Sequence, residues 1–365
     1  MSEPISQAAN AVRIIIAISG RTSNMKVGLI GAGRQGWRRA QAAVAFEETE
    51  LVLVADIDSN AAKLLAEQMK CEATNRWEDV VARNDLEAVI VCAPNHLHAP
   101  MSIAALKERK HVFCEKPLAR EPGEAKRIVD TAREMGVKLK TGFTLRHHPG
   151  IRQAREWFDS GLIGDLMFLR CRYGMCGRPD YDREWRAKGE LSGGGELIDQ
   201  GIHVLDLFRW FAGDFTQAVG LTSTAFWNIA PLEDNAFGLL RTATGQIASM
   251  HVSWTQWKNL FGFEIFGKEG YIMVDGLGGS YGLEQAKLGR RSFVEPFKED
   301  CIEFRGEDRS WLEEWKEFVA AIQENREPLG SGSDGLESLK LAHAIYESAR
   351  ESRVVSLSAY KEPKR

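Results

Sequence analysis

The stretch Lys26–Gly36, KVGLIGAGRQG, decides the fold. Its apolar part, Val27–Ile30, predicts a short buried strand, and the residues from Gln35 onward have the composition of a helix. A glycine-rich turn, G-x-G-x-x-G, joins the two. In such a turn the first glycine permits the sharp bend, the second lets the backbone approach a pyrophosphate, and the third lets helix and strand pack closely. Phosphate groups then bind free N–H groups at the helix N-terminus.

Glycine-rich turns are common, so the residues that follow this one decide its meaning. A second apolar run, Leu51–Ala55, ends in Asp56, at the spacing of about 20 residues expected for the acid that binds the ribose hydroxyls of a dinucleotide. The alternative is an ordinary strand–turn–helix that binds no cofactor, with an incidental aspartate. We predict a dinucleotide site formed by Gly31, Gly33, Arg34, Gln35, Gly36 and Asp56.

Length and composition restrict the class of protein. A chain of 365 residues predicts two domains, and 44% hydrophobic with 27% charged residues is typical of a soluble globular protein. The 47 basic and 51 acidic residues nearly balance, giving a net charge of −4. This balance disfavours a nucleic-acid or anionic-membrane surface. No apolar run reaches the ~18 residues needed to span a membrane.

The cysteines and the N-terminus bear on the compartment. The six cysteines form no C-x-x-C pair, and several lie in apolar runs, as Cys92 and Cys114 do. Buried free thiols, no metal site and a reducing, cytoplasmic compartment are therefore expected. Residues 1–24 lack a basic n-region and are predicted to be a disordered extension rather than a signal peptide.

The rest of the chain divides near residue 145. Between 25 and 145, apolar runs alternate with helical stretches, which predicts βαβ units and a parallel sheet. Residues 146–365 predict an α+β domain, because five strand-like runs from 217 to 275 follow one another without helices between them, as in an open, mainly antiparallel sheet. Ser310 and Glu313 predict a capping box for a late helix, which can return to pack on the first domain.

Four motifs then stand in order: GAGRQG at 31–36, APNHLH at 93–98, EKP at 115–117 and GGGELIDQGIHVLD at 193–206. Together they resemble the glucose–fructose oxidoreductase / inositol dehydrogenase / rhizopine-catabolism (Gfo/Idh/MocA) family of NAD(P)-dependent oxidoreductases. The resemblance covers 25–357. It implies an N-terminal Rossmann domain and a catalytic trio of Lys116, Asp199 and His203. It also implies that the nicotinamide side of the cofactor site is lined by Pro94, Asn95, His98, Glu115 and Lys116.

The chemistry of these residues agrees with that mapping. Asp199 and His203 are four apart on a predicted helix and so share one face. Histidine can take a proton from a hydroxyl at neutral pH, and Lys116 supplies positive charge where an alkoxide develops. The alternative without a catalytic role is a surface lysine in a turn and an ordinary polar pair on a helix.

Other candidates are weaker. His96 and His98 lack acidic or cysteine partners for a metal. Asp206 either orients His203 or is solvated, and these alternatives stay open. Trp254 and Trp257 are expected in the core or in an oligomer interface rather than as a sugar platform. A minority hypothesis assigns substrate contacts to Arg172, Tyr181, Arg183 and Trp185.

The sequence thus predicts an enzyme that transfers hydride between a nicotinamide and a secondary alcohol or ketone of a sugar, cyclitol or nucleotide-linked sugar. NAD is the expected cofactor and NADP the weaker alternative, because Asp56 and Asp58 give the ribose end a negative field. A homodimer or homotetramer is expected, since helices cover only one face of the second sheet. The rival hypotheses are a non-catalytic sensor or scaffold, and a lyase or hydrolase-like enzyme that uses its cofactor transiently.

Overall fold

The computed structural model describes residues 24–295 and 298–357. The predicted extension, apart from Asn24, lies outside the described residues. The first half forms a parallel sheet in the order β3-β2-β1-β4-β5-β6. Its strands are β1 (Met25–Ile30), β2 (Thr49–Ala55), β3 (Glu72–Thr74), β4 (Ala88–Val91), β5 (His111–Cys114) and β6 (Leu139–Thr141). The helices between them are α1 (Arg34–Val44), α2 (Ser59–Met69), α3 (Trp77–Ala82), α4 (Asn95–Lys107) and α5 (Pro122–Met135).

The second half carries a mixed sheet in the order β14-β13-β12-β11-β7-β10-β9-β8-β15. Its strands are β7 (Leu166–Gly174), β8 (Phe215–Ser223), β9 (Asn235–Thr242), β10 (Ile247–Ser253), β11 (Leu260–Gly267), β12 (Gly270–Asp275), β13 (Glu284–Arg290), β14 (Glu299–Phe304) and β15 (Val355–Ser356). The helices are α6 (Pro149–Asp159), α7 (Gly189–Ser192), α8 (Ile202–Ala212), α9 (Ser310–Gln323) and α10 (Gly332–Glu351).

The fold class predicted from the sequence is confirmed, a parallel dinucleotide-binding sheet followed by a mainly antiparallel one. One pairing differs, because β7 and β10 run parallel, with Cys171 opposite Met250. The first of the five strand-like runs, predicted to extend from 217 to 227, ends early, at Ser223 of β8. The carboxylate of Asp234 accepts the backbone N–H groups of 225–227 at 2.8–2.9 Å and so holds them out of the sheet.

The capping box predicted at Ser310 and Glu313 is wrong. The backbone N–H and the hydroxyl of Ser310 both donate to Asp308 Oδ1, at 2.9 and 2.6 Å. The capping box lies instead at the start of α10, where Ser331 and Asp334 bond each other's backbone N–H groups at 3.2 and 2.9 Å. The pattern S-x-x-D therefore also forms a capping box.

Helix α9 lies against α1 of the first domain through a buried arginine. The Arg39 guanidinium donates to Glu115 and to Glu314, both at 2.6 Å. Its carbon centre is 4.3 Å from the ring centroids of Phe113 and of Trp311. A buried guanidinium requires such partners, since an unpaired buried charge is strongly destabilising. This contact fixes the end of β5, where the EKP motif begins, relative to the second half of the chain.

Candidate active site

A cavity of about 910 Å³ lies where the carboxyl ends of β1, β2, β4 and β5 face the second domain. Ligands of open α/β sheets bind at this edge. Among the residues predicted from the sequence, those that line the cavity are Gly31, Gly33, Arg34, Gln35, Asp56, Pro94, Asn95, His98, Glu115, Lys116, Asp199 and His203. Residues from both domains therefore meet around one space.

The glycine turn forms one end of the cavity, and its glycines have different roles. Gly31 has φ +102°, and a Cβ there would lie 2.6 Å from the Cys92 carbonyl oxygen. A Cβ on Gly36 would lie 1.9 Å from the Gly31 carbonyl oxygen, so Gly36 serves close packing and does not line the cavity. A Cβ on Gly33 would meet no atom within 4 Å. The backbone at Gly33 is thus open to an approaching pyrophosphate.

Asp56 anchors this turn. Its Oδ2 accepts the Ala32 N–H at 2.6 Å, and its Oδ1 accepts the Asp58 N–H at 2.9 Å. Asp58, which we expected to add negative charge at the ribose end, caps α2 by accepting the N–H groups of Asn60 and Ala61. It does not line the cavity itself.

The glycine-turn end of the cavity carries more positively charged side chains than the sequence predicted. Arg38 and Arg76 line the cavity together with Arg34 of the predicted dinucleotide site. The side-chain oxygen Oε1 of Gln35 is buried without a partner. The open Gly33 backbone, this free acceptor and the Asp56 carboxylate fit a bound dinucleotide.

The residues predicted to lie on the nicotinamide side are tied to the surrounding backbone. Asn95 Nδ2 donates to the Ser192 carbonyl at 2.7 Å, which links the two domains. The two ring nitrogens of His98 lie 2.8 Å from the carbonyl oxygens of Pro117 and Ala93, so this imidazole braces the loops after β4 and β5. Glu115 accepts from Arg39 and lines the cavity as well.

Lys116 and Asp199 form an ion pair across the two domains. Lys116 Nζ donates to the backbone carbonyl of Asp199 at 2.6 Å and to its Oδ1 at 2.8 Å. Burial alone would raise the pKa of Asp199, but the positive charges of Lys116 and Arg186 outweigh it and lower that pKa to about 2. Asp199 is therefore ionised at neutral pH and fixes the lysine charge at the cavity wall.

His203 lies one turn further along the same segment. Leu197–Gly201 forms a π-helical turn that leads into α8, and single π-helical turns occur often at functional sites. The imidazole packs between Phe143 and Tyr173, at centroid distances of 6.0 and 6.5 Å, and its Nδ1 has no partner. Burial, followed by the Lys116 charge, lowers the pKa of His203 well below its usual range. The ring is therefore neutral and able to accept a proton.

Comparisons with known proteins agree with this geometry. Residues 25–143 match the model of the GFO/IDH/MocA oxidoreductase family, NAD-binding Rossmann fold, and residues 151–273 match a GFO/IDH/MocA C-terminal domain. The 1,5-anhydro-D-fructose reductase of Ensifer adhaerens is 30% identical over 77% of this chain and 82% of its own. The chain belongs to the GFO/IDH/MocA family.

Two further similarities extend over most of the chain. The levoglucosan dehydrogenase of Pseudarthrobacter phenanthrenivorans is 26% identical, covering 92% of this chain and 98% of that protein. A solved structure of levoglucosan dehydrogenase in complex with NADH superposes with a TM-score of 0.84 at 25% identity, over 92% of this chain and 99% of the other. As a member of the GFO/IDH/MocA family this protein is an oxidoreductase with an NAD-binding Rossmann domain.

For this family member, both alternatives left open for Asp206 are wrong. Its carboxylate accepts two hydrogen bonds from Arg146, at 2.7 and 2.6 Å, and is buried. It neither orients His203 nor faces solvent. Burial raises the pKa of Asp206 to about 6 in spite of Arg146. The partner lies 60 residues away in sequence, in a segment that no local pattern connects to α8.

Of the four residues considered as possible substrate contacts, one lies at the cavity, in the loop before the triple glycine. Trp185 lines it, whereas Arg172, Tyr181 and Arg183 do not. Tyr181 is buried against Trp254, with ring centroids 4.4 Å apart, so Trp254 is a core residue as expected. Trp257 is 62% exposed and therefore not a core residue. Further residues that no sequence motif indicates also line the cavity: His148, Arg178, Arg186, Gln200, Asn259 and Tyr281.

The triple glycine itself serves packing against other chain segments. A Cβ on Gly194 would lie 2.2 Å from the Tyr346 hydroxyl, and a Cβ on Gly195 would lie 2.1 Å from the Glu233 carbonyl oxygen.

Within the described ranges, no group of three or more His, Cys, Asp or Glu side chains could hold a metal ion. No helix in that part of the chain has both the length and the apolar character to cross a bilayer.

Proposed function

We propose that the protein transfers a hydride between NAD and a secondary alcohol or ketone carbon of a sugar, cyclitol or nucleotide-linked sugar. Lys116, Asp199 and His203 would carry out the proton and charge chemistry at the reacting oxygen. The observation that supports this assignment most is the shared cavity, in which these three residues and the glycine turn line one continuous space.

The roles follow from charge and proton state. In the oxidation direction, the neutral His203 imidazole takes the proton of the substrate hydroxyl. The Lys116 ammonium stabilises the negative charge that develops on that oxygen. Asp199 holds the ammonium in position, through the bonds at 2.6 and 2.8 Å described above. In reduction, His203 returns the proton.

The first domain would hold the cofactor. The N–H groups of the turn at Gly33 bind the pyrophosphate, and Asp56 accepts hydrogen bonds from the adenosine ribose. When bound, the nicotinamide accepts or supplies the hydride. Pro94, Asn95 and His98 shape the nicotinamide side of the cavity.

The substrate class is supported by the relatives. Those similar to this chain include levoglucosan dehydrogenase, 1,5-anhydro-D-fructose reductase and a myo-inositol 2-dehydrogenase of Thermotoga maritima, 27% identical over 91% of this chain. Their names give levoglucosan, 1,5-anhydro-D-fructose and myo-inositol as the compounds they act on, and each of these compounds is a ring that carries several oxygen functions.

A substrate screen tests the proposal. The purified protein is mixed with NAD or NADP and a panel of cyclitols, aldoses and nucleotide sugars, and the absorbance of the reduced nicotinamide is followed. We expect net cofactor reduction with at least one polyol, lost in H203A. Cofactor binding without turnover on the whole panel would favour the sensor hypothesis. Substrate conversion without net cofactor reduction would favour the lyase-like hypothesis.

We further propose a homodimer or homotetramer assembled through the open face of the second sheet. Cross-strand neighbours on β8 and β9 expose a contiguous apolar patch, with Val219 opposite Leu239 and Leu221 opposite Phe237. These side chains are 36–68% exposed. Contiguous patches of this kind mark protein interfaces.

The cysteines at 71, 92, 114, 171, 176 and 301 are all free thiols, which supports the cytoplasm as the proposed compartment.

A further inference from the structure

Glu233 lies in the loop before β9 and contacts the start of the helical segment that carries Asp199 and His203. Its Oε2 accepts the Gly195 N–H at 3.2 Å, its backbone carbonyl accepts the next N–H along the chain at 3.1 Å, and its Oε1 accepts the Leu197 N–H at 2.9 Å. The first N–H groups of a helix have no partner within the helix, and a carboxylate near them is stabilised by the helix dipole. One residue thus supplies the acceptors for three successive N–H groups.

The hydroxyl of Tyr346, on α10, fixes this carboxylate in turn. It donates to Glu233 Oε1 at 2.7 Å and accepts the Gly195 N–H at 3.2 Å. Glu233 is only 5% exposed. The close approaches described above leave no room for a Cβ at Gly194 or Gly195. The triple glycine therefore lets the phenol and the carboxylate reach the backbone at the start of the segment.

The Gly195 peptide connects this anchorage to the ion pair of the candidate active site. Its carbonyl accepts the Asp199 N–H at 3.0 Å. The carbonyl and the carboxylate of Asp199 then accept hydrogen bonds from Lys116 Nζ, at 2.6 and 2.8 Å. A continuous series of hydrogen bonds thus links the Tyr346 hydroxyl to the Lys116 ammonium. Neither Glu233 nor Tyr346 lines the cavity itself.

We propose that Glu233 and Tyr346 are positioning residues for the proposed reaction. They fix the backbone of Asp199 and, through it, the place at which the Lys116 ammonium meets the reacting oxygen. This inference rests on the proposed function and adds to it two residues outside the cavity. A preorganised cation stabilises a developing charge without rearrangement during the reaction, and a displacement of about 1 Å can lower the rate by roughly 10²-fold. Loss of the anchorage should therefore lower kcat and leave cofactor binding by the first domain intact.

The variant E233Q tests this role with little change in shape. An NH2 group replaces one of the two acceptor oxygens, and it cannot accept a hydrogen bond. Whichever way the amide points, either the Gly195 or the Leu197 N–H loses its side-chain acceptor. We expect kcat to fall by roughly 10–100-fold, while the NADH dissociation constant, measured by fluorescence, changes little. Y346F removes the phenol but keeps both acceptor oxygens of Glu233, so its loss should be of the same kind and smaller.

A double-variant cycle with K116M separates positioning from general damage to the fold. K116M removes the cation that Glu233 is proposed to position. E233Q should therefore lower kcat in the wild-type background and change it little in the K116M background, because residues that act through one another are not additive. Damage unrelated to Lys116 would lower kcat by the same factor in both backgrounds.

D234N provides a matched control. Asp234 is buried next to Glu233 in the chain, and its carboxylate also accepts backbone N–H groups, those of 225–227. No hydrogen bond of that loop leads to Asp199 within the described ranges. D234N should accordingly retain kcat, even where its thermal midpoint falls.

The two proposals fail differently. Wild-type kcat in E233Q, equal losses in the two backgrounds, or an equal loss in D234N would each overturn the positioning role and leave the dehydrogenase in place. Y346F, carried through the same cycle, gives the answer where E233Q fails to fold. The absence of wild-type turnover with any member of the substrate panel overturns the proposed function first, and the positioning role with it.

Discussion

Lys116 Nζ binds both the backbone carbonyl and the side-chain carboxylate of Asp199, at 2.6 and 2.8 Å. Lys116 follows β5 of the first domain and Asp199 lies in the π-helical turn of the second. The ion pair is mostly shielded from solvent, with the two side chains 12% and 22% exposed. The lysine charge is therefore fixed in place only when the two domains are in contact.

Replacing Lys116 by methionine should lower kcat by roughly 10²–10³-fold, because a fixed cation at the developing alkoxide contributes to the transition state and little to cofactor binding. Steady-state kinetics on the screened substrate and NADH titration measure both effects. Lys126 offers a matched control, since its ion pair with Asp130 lies on the exposed face of α5. K126M should retain full activity, and an equal loss there would contradict a specific role for Lys116.

Replacing His203 by alanine should lower kcat by roughly 10²–10⁴-fold, the usual contribution of a positioned acid or base. The NADH dissociation constant should change little, because His203 belongs to the second domain. Turnover similar to wild type in H203A would show that His203 is not the base that takes the substrate proton.

The pH profile tests the electrostatics of the trio. Burial and the Lys116 charge hold the pKa of His203 well below its usual range, so the base stays neutral at pH values where a solvated histidine is already protonated. The acidic limb of kcat/KM for alcohol oxidation should accordingly lie below the pH of about 6.5 typical of free histidine. In K116M the largest charge that lowers the pKa of His203 is gone, so the limb should move to higher pH. A shift to lower pH in K116M would contradict this assignment.

The sequence revealed the residues whose partners are close in the chain or whose motif is specific. The glycine turn and Asp56 belong to one strand–turn–helix–strand unit, and the spacing of Asp199 and His203 already predicted a shared face. The structure brings Asp199, His203 and Lys116 to one cavity, although no local pattern relates 116 to 199. The resemblance to a family supplied that link.

The remaining features depend on contacts that local patterns do not encode. Asp206 pairs with Arg146, 60 residues away, so its environment could not be read from α8. Gln200 was not predicted to line the cavity, because a glutamine next to a candidate catalytic residue carries no periodic signal. Its position is fixed by a hydrogen bond to Tyr281, 81 residues further on. Strands β13 and β14 were missed because charged residues interrupt their apolar alternation.

The exposed sheet face predicts an effect on assembly. L239D introduces a charge at the centre of the apolar patch on β9, where Leu239 is 51% exposed. Burying that charge in an interface is costly, so the oligomer should dissociate at micromolar concentration while each subunit keeps its fold. Light scattering measures the mass. L64D is the control, since Leu64 is 56% exposed on α2, outside the second sheet. A wild-type monomer at that concentration would contradict the proposed assembly.

The cofactor preference depends on the balance of charge around Asp56. Its carboxylate already accepts two backbone N–H groups, at 2.6 and 2.9 Å, and stays beside the ribose end of the cavity. There it can accept a bond from a ribose hydroxyl but repels a 2′-phosphate. Arg34, Arg38 and Arg76 line the same cavity and favour a phosphate. We expect NAD to be preferred, because the carboxylate is held in place by the backbone whereas Arg76 is an exposed side chain.

Replacing Asp56 by serine should lower kcat/KM for NAD by roughly 10–100-fold, the loss of a charged hydrogen bond, and raise kcat/KM for NADP. In the double variant D56S/R76A the gain with NADP should fall again, because the unopposed cation is gone. D58S is the matched control: serine is also a good helix N-cap, and position 58 does not line the cavity, so the ratio of the two cofactors should stay constant. A clear wild-type preference for NADP would mean that the three arginines outweigh the carboxylate at position 56.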